Sequence, residues 1–318
     1  MRQVYVDGFG DASHVRVRVV AEPVPAAGEV VLAMRACGLN YSDLVQREGL
    51  YAGGPRPPYV PGAEGSAIVI ERSPEVTALE LGARVLVIGR SGLQAERVAV
   101  PAASCFVLPE TVGDVEAAAF GVSYLTAYHA LTTVAHARPG EVALVHAAAG
   151  GLGTAAVQIA KLLGLHVIAT ASTEEKRARV RALGADEVVD YDAFEAAARA
   201  HGGAAIVLES IGGEVLRRSL HVLKPLGRLV MVGVSSKQAR PIDPLKLIFK
   251  SQAILGLHLE AILDQAELVG PALRTLLEHV RTGALVIQVG HTFPLAEVRA
   301  AHELLASRQS CGKIVLLP

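Results

Sequence analysis

Apolar positions along the chain keep two different rhythms. Up to about residue 120 they come in short runs, "HVRVRVV", "EVVLAMRA", "SAIVIE", "ARVLVIG" and "AERVAV", separated by Pro and Gly turns. Such β-branched runs between turn formers predict strands, with "PPYVPGAEG" as a loop among them. From about residue 139 strand-like and helix-like runs alternate. The strands are "EVALVHA", "HVIATA", "DEVVDY", "AAIVLES", "RLVMVGV" and "AILGLHL", and helices are expected at 151–163, 173–182, 193–200 and 214–223. This alternation implies right-handed crossovers and a parallel sheet covered on both faces, and strands that are apolar almost throughout agree with burial from two sides.

After residue 259 a helical period appears at Val269, Leu273, Leu276, Leu277 and Val280. A short strand, a helix over "LAEVRAAHELLAS" and the closing "GKIVLLP" follow. That tail is too small to stand alone and is expected to fold back onto the first part. The predicted organisation is a β-rich unit of residues 1–122 with 260–318, interrupted by an α/β unit of residues 123–259. Two uncharged runs, 117–137 and 142–160, have the length of membrane spans. The first carries Ser123, Tyr124, Thr126, Tyr128, His129, Thr132, Thr133 and His136, and the second a glycine cluster, so both read as buried elements of a soluble protein.

Composition narrows the function classes. The 318 residues are 51% hydrophobic and 19% charged, with net charge −1, which supports large cores and argues against disorder and against a nucleic-acid partner. Tryptophan is absent and aromatics are 4%, leaving little stacking surface for bases or sugars. Cys37, Cys105 and Cys311 lie far apart with no CxxC pair, which excludes a disulfide framework and a cysteine-rich zinc lobe. The N-terminal "MRQVYVDGFG" has no apolar signal-peptide core, and a reducing cytoplasm is the expected location.

The chemistry begins at "EVALVHAAAGGLGTAAVQIAKLLG", where Ala148-x-Gly150-x-x-Gly153 follows the first strand of the alternating half and opens a helix. This is the dinucleotide-binding spacing with Ala in the first place. Gly150 would let backbone approach a pyrophosphate, Gly153 would let helix and strand pack closely, and the helix N-terminus would offer N–H groups and partial positive charge. A tight turn without a ligand is the plainer explanation, but the strand–turn–helix context favours the nucleotide. At the end of the second strand the chain reads "ATASTEEKRAR". Glu174 or Glu175 would suit the ribose of NAD, although Ser172-x-x-Glu175 also has capping-box spacing. Ser172, Thr173 and Lys176 suit a 2′-phosphate instead, so NADPH is the expected cofactor; the alternative for Lys176 is a solvated helix lysine.

With "ACGLNYSD", "GLYAGG", "PGAEG", "HAAAGGLGTAAVQIAK" and "GKIVLLP", essentially the whole chain resembles the medium-chain dehydrogenase/reductase superfamily, and within it the zinc-free quinone oxidoreductase branch. "VIGRSGLQAERVAVP" and "PLKLI" are similar to the vesicle amine transport protein 1 subgroup, and enoyl reductase domains of polyketide synthases share nearly the same motifs. The resemblance implies a Rossmann doubly wound parallel sheet inserted after a GroES-like β-rich catalytic domain, and a homodimer extended through "AILGLHL". Where zinc-dependent relatives carry Cys and His ligands, this chain has Asn40 and Ala63, and Glu64 alone cannot hold zinc. No metal is therefore expected: Asp43 and the eleven scattered histidines do not read as ligands, and His129 and His146 read as core or helix-end residues. Ala67 and a glycine-free "IERSPEV" depart mildly from the family pattern.

The resemblance also assigns contacts. Asn40 and Thr126 would lie near the nicotinamide and its ribose, Gly150, Gly151, Leu152 and Gly153 against the pyrophosphate, and Ser172, Lys176 and Tyr191 around the adenosine phosphate. Ile211, Gly233, Leu257 and His258 would line the nicotinamide pocket, with Arg308 and Lys313 reaching in from the tail. The implied reaction passes hydride to a quinone or to the β-carbon of an α,β-unsaturated carbonyl. The second acceptor yields an enolate that needs a proton, for which Tyr51, Tyr41 and Lys313 are candidates beside Asn40. Tyr51 equally reads as a loop aromatic shaping the pocket. An enoyl reductase of a biosynthetic pathway and a non-catalytic NADPH-binding relative are the alternatives.

Overall fold

The computed structural model describes residues 1–238 and 240–318. Its contacts divide the chain into two units, 1–122 with 273–318 and 123–272. The second boundary falls later than the sequence rhythm suggests, because it lies inside a helix, Ala266–Arg281, rather than at the end of the preceding strand.

In the first unit β1 (Arg2–Val6) and β2 (Val15–Val19) form an antiparallel pair. β3 (Glu29–Leu39), β4 (Glu64–Arg72), β5 (Arg84–Ile88), β6 (Arg97–Pro101) and β7 (Cys105–Val107) make the larger sheet. The tail joins it: β15 (Lys313–Leu317) pairs antiparallel with β3, and β14 (Val289–Pro294) runs parallel to β15, giving the order β14-β15-β3-β4-β5-β7 with β6 on β3. The core includes Leu32, Val69, Val85, Ile314 and Leu316. Among the helices here, α1 (Tyr41–Arg47) follows β3 directly and α2 (Asp114–Ala118) packs on β3 and β4. Gly38 has no room for a side chain, since a Cβ there would meet the Ala118 carbonyl oxygen at 2.2 Å.

The uncharged run 117–137 is broken into α2, α3 (Gly121–His129) and one π-helical turn at Ala130–Val134, so its length is not one helix. Among the described residues no helix is long and apolar enough to cross a membrane.

The second unit carries a six-stranded parallel sheet in the order β10-β9-β8-β11-β12-β13. The strands are β8 (Val142–Val145), β9 (His166–Thr170), β10 (Glu187–Val189), β11 (Ala204–Glu209), β12 (Leu223–Met231) and β13 (Ala253–Gly256). The crossovers are α4 (Gly151–Leu162), α5 (Glu174–Ala182), α6 (Phe194–Ala200), α7 (Gly213–Val222) and α8 (Pro244–Lys250). Every residue of central β11 is buried, as covering both faces requires. Chain order reverses between β8 and β11, which makes the carboxyl ends of those strands the expected binding crevice of a doubly wound sheet. The pattern did not predict α8, and the reason is visible: none of its residues is buried, so tertiary packing leaves no stripe to read.

Candidate functional site

Every dinucleotide contact expected in the second unit except Thr126 sits just past the carboxyl end of a parallel strand. Gly150–Gly153 follow β8, Ser172 and Lys176 follow β9, and Tyr191 follows β10. Ile211 follows β11, Gly233 follows β12, and Leu257 and His258 follow β13, while Thr126 lies on α3. The topology alone gathers these loops at one end of the sheet.

The glycine turn divides its labour. A Cβ on Gly153 would meet the Ala147 carbonyl oxygen at 2.3 Å and Ala148 Cα at 2.5 Å, so this glycine is required by helix–strand packing. A Cβ on Gly150 would meet only the Ala147 carbonyl oxygen, at 3.5 Å. The chain itself therefore does not demand glycine at 150; an approaching ligand would. The first intrahelical bond of α4 is Thr154 N–H to Gly150 C=O at 2.9 Å, which leaves the N–H groups of Gly151, Leu152 and Gly153 ahead of the helical ladder. Ala147 turns the strand into this loop with φ 50°, and its N–H donates to the Tyr191 hydroxyl at 3.2 Å.

At the tip of β9 one sequence reading is corrected. The helix cap is Thr173, whose side chain accepts from Lys176 N–H at 3.2 Å, so Ser172 and Glu175 form no capping box. Glu174 pairs with Arg177 at 2.9 Å and Arg181 at 2.6 Å, and Glu175 with Arg179 at 3.0 Å. Hydrogen bonds from Arg181 and then Arg177 hold the Glu174 carboxyl below its usual range. Arg177 also donates to the Ala171 carbonyl at 3.2 Å, placing a guanidinium beside Ser172. Nothing in the sequence pattern separated Arg177 from the other charged residues of α5.

Beneath these loops runs a buried polar chain. His146 Nδ1 meets Thr170 Oγ1 at 3.1 Å and Nε2 meets Ser219 Oγ at 2.8 Å; Ser219 donates to Glu209 Oε2 at 3.2 Å. Glu209 Oε1 accepts from the N–H groups of Ile211 at 2.6 Å and Gly212 at 2.9 Å. Burial, and then the positive charge of Arg218, pushes His146 down to about 3, so it is neutral. With Ser219 donating onward, the hydrogen-bond order assigns the ring proton to Nε2. His146 is thus a satisfied core residue, as its sequence context suggested, but it ties together the tips of β8, β9 and β11. Glu209, which fixes the loop carrying Ile211, was not singled out by the sequence.

In the first unit the catalytic candidates divide. Asn40, at the N-cap of α1, lies in a buried cluster with Asp43, Glu64 and Lys313. Lys313 Nζ donates to Asn40 Oδ1 and to Glu64 Oε1, both at 2.5 Å, and Asn40 Nδ2 donates to Glu64 Oε1 at 2.8 Å. Glu64 Oε2 accepts from Val122 N–H at 2.8 Å, and Asp43 Oδ2 from Asn40 N–H at 2.7 Å. Burial pushes the Asp43 carboxyl up to about 6, opposed by that bond from Asn40. Tyr41 opens α1 half-buried, and Tyr51 is half-buried in the turn closed by Gly54 N–H to Tyr51 C=O at 3.0 Å. Arg308 is exposed in the turn after α10 (Val298–Ala306), with φ 61°. The cluster thus unites Asn40 and Lys313. The sequence considered Glu64 only as a zinc ligand and missed it as the partner of Lys313.

Known proteins agree with this architecture. Residues 26–110 match the alcohol dehydrogenase GroES-like domain and residues 151–277 the zinc-binding dehydrogenase domain. The chain is 41% identical to the quinone oxidoreductase of Thermus thermophilus, whose structure is known also in complex with NADPH; the likeness covers 100% of both chains with a TM-score of 0.88. It is 33% identical to the rat synaptic vesicle membrane protein VAT-1 homolog, over 100% of this chain and 84% of that protein. It is also 33% identical, over 99% of its length, to 15% of a phenolphthiocerol/phthiocerol polyketide synthase of Mycobacterium tuberculosis. The chain therefore belongs to the medium-chain dehydrogenase/reductase superfamily, in its quinone oxidoreductase branch.

Proposed function

We propose that the protein is an NADPH-dependent oxidoreductase that reduces a quinone-like or α,β-unsaturated carbonyl substrate without zinc. The observation that carries this reading is the row of loops at the carboxyl end of the parallel sheet, with Gly150 open where the chain does not itself need glycine. The NADPH complex of the Thermus relative supports the same cofactor. NADPH, when bound, supplies the hydride. The chain's own part is to seat the pyrophosphate on the N–H groups of Gly151–Gly153, to hold the 2′-phosphate near Ser172, Lys176 and Tyr191, and to orient the nicotinamide with Ile211, Gly233, Leu257 and His258.

Zinc chemistry does not fit the first unit. The Lys313 ammonium already lies against Asn40 Oδ1 and Glu64 Oε1, at the positions that correspond to the metal-binding region of zinc-dependent relatives. A second cation there would be repelled, and an amide and one shared carboxylate make a poor donor set.

Quinone and enone reduction differ in the proton rather than the hydride. A hydroquinone anion takes its protons from water after release, whereas an enolate must be protonated at carbon by a placed acid. Tyr51→Phe keeps the ring and removes only the hydroxyl. With a panel of quinones, enones and enoyl thioesters, we expect measurable quinone turnover that Tyr51→Phe lowers by less than about tenfold. A loss on an enone beyond that, at unchanged NADPH affinity, would make enoyl reduction the activity, as the polyketide synthase likeness allows. Absence of turnover on the whole panel would favour a non-catalytic NADPH-binding protein.

The expected assembly is a homodimer. β13 ends the six-stranded sheet, and an uncovered edge invites pairing with a two-fold mate. α8, which leads into β13, exposes Leu245, Ile248 and Phe249 at 60%, 69% and 86%. Light scattering at micromolar concentration should give twice the chain mass, and Ile248→Lys with Phe249→Glu should shift it toward one chain. A wild-type protein of single-chain mass would refute the assembly.

A further inference from the structure

The opposite end of the parallel sheet carries a second cluster of chemistry-bearing side chains. His166 opens β9, Glu187 opens the neighbouring strand β10, and His201 caps the carboxyl end of α6. One ligand atom from each lies within 4.8 Å of the others. His166 Nε2 stands 3.6 Å from Glu187 Oε1, and His201 Nε2 is hydrogen-bonded to that same oxygen. The two imidazole rings are 4.3 Å apart between centroids and tilted by 38°. His166 Nε2 is buried and has no hydrogen-bond partner among the described residues. On the far side of the ring, His166 Nδ1 faces Asp186 Oδ2 at 3.8 Å. Asp186 is itself fixed by Lys161 Nζ at 2.7 and 2.9 Å and by Val167 N–H at 2.7 Å.

We propose that His166, Glu187 and His201 form a binding site for a divalent transition metal of the zinc class, with Asp186 orienting His166 from behind. Two imidazole nitrogens and one carboxylate suit Zn²⁺, Co²⁺ or Ni²⁺ and suit Mg²⁺ or Ca²⁺ poorly. Three protein ligands leave a fourth position to water. Ligands held at about 2.0–2.1 Å in tetrahedral geometry are separated by roughly 3.3–3.4 Å. The His166–Glu187 pair is close to that spacing already. His201 has to back away from Glu187, and its side chain, 32% exposed at a helix end, has room to do so. The carboxylate behind a ligating imidazole is the usual device for fixing ring orientation and tautomer. A metal here links β9, β10 and α6, so it stabilises the sheet edge and takes no part in hydride chemistry. The site goes beyond the proposed oxidoreductase function and stands without it, because the glycine turn and the cofactor loops occupy the other end of the strands.

The test is a titration of chelator-stripped protein with Zn²⁺ by calorimetry and with Co²⁺ by visible absorption. One equivalent should bind saturably and raise the melting temperature. His201→Gln and Glu187→Gln should each weaken Zn²⁺ binding at least about a hundredfold, and Asp186→Asn about tenfold, in the range known for orienting partners. His279→Gln, at a half-buried position of α9 (Ala266–Arg281), should leave it unchanged. Ring resonances of two histidines, assigned to His166 and His201, should shift with Zn²⁺, which tests the site even if a variant fails to fold. No saturable binding, shifts at other histidines, or full affinity in folded His201→Gln would overturn the proposal. NADPH binding measured in chelator reports on the oxidoreductase reading separately.

Discussion

Replacing Lys313 by methionine is expected to cost about 3–5 kcal/mol of folding stability, the usual consequence of removing one partner from a buried ion pair. Glu64 is fully buried and Lys313 is 4% exposed. The ammonium is bonded both to Glu64 and to Asn40, so the variant leaves a buried carboxylate facing the Asn40 amide and the Val122 N–H without its cation. Methionine fills most of the volume of the lysine stem, which isolates the charge as the cause. The double variant Glu64→Gln with Lys313→Met should recover part of the loss, because a neutral amide needs no cation. Denaturant melts of the three proteins at neutral pH make the measurement. A single variant within about 1 kcal/mol of wild type at neutral pH, below the range for buried pairs, would mean that water reaches the pair.

That cluster shows where the sequence was legible and where it was not. The alternation of strands and helices after residue 139 reflects burial of both sheet faces, a property of each segment that survives in the pattern; β11 and α4 could be placed to within a residue or so. The turn before α4 was legible because its spacing marks the close helix–strand packing that leaves Gly153 no room for a side chain. The pairing of Lys313 with Glu64 joins positions at opposite ends of the chain, brought together because β15 returns beside β3, and no periodicity records that. The same holds for Glu209, which accepts from Ser219 of α7, itself bonded to His146 at the tip of β8. α8 was missed for the opposite reason: its apolar side chains face outward, so no amphipathic stripe marks it. The misread cap at Ser172 is a one-residue error, since Ser172 and Thr173 both carry hydroxyls and only the observed bond to Lys176 N–H decides between them.

The second large effect is the choice between NADPH and NADH. We expect the protein to favour NADPH by roughly 2–4 kcal/mol, about 30- to 1,000-fold, as charge-assisted hydrogen bonds to a 2′-phosphate allow. The acids that would otherwise accept the ribose hydroxyl of NADH are drawn to arginines of their own helix: Glu174 to Arg177 and Arg181, Glu175 to Arg179. Each of these exposed pairs is weak in stability terms, yet together they surround both carboxylates with positive charge and orient them along α5. The donors sit at the strand tip instead. Ser172 is released from capping by Thr173, Lys176 stands one turn further on, and Arg177 is held beside Ala171 by its bond to the carbonyl oxygen. Fluorescence titration of both nucleotides gives the ratio directly. Lys176→Ala should weaken NADPH at least about tenfold while leaving NADH nearly unchanged, because only NADPH presents the phosphate that the lysine would contact. Arg177→Ala should act in the same direction, and it also releases Glu174, so NADH affinity should rise in that variant alone. Equal wild-type affinities, or a preference for NADH, would put Glu174 or Glu175 on the ribose and return Lys176 to the role of a solvated helix lysine.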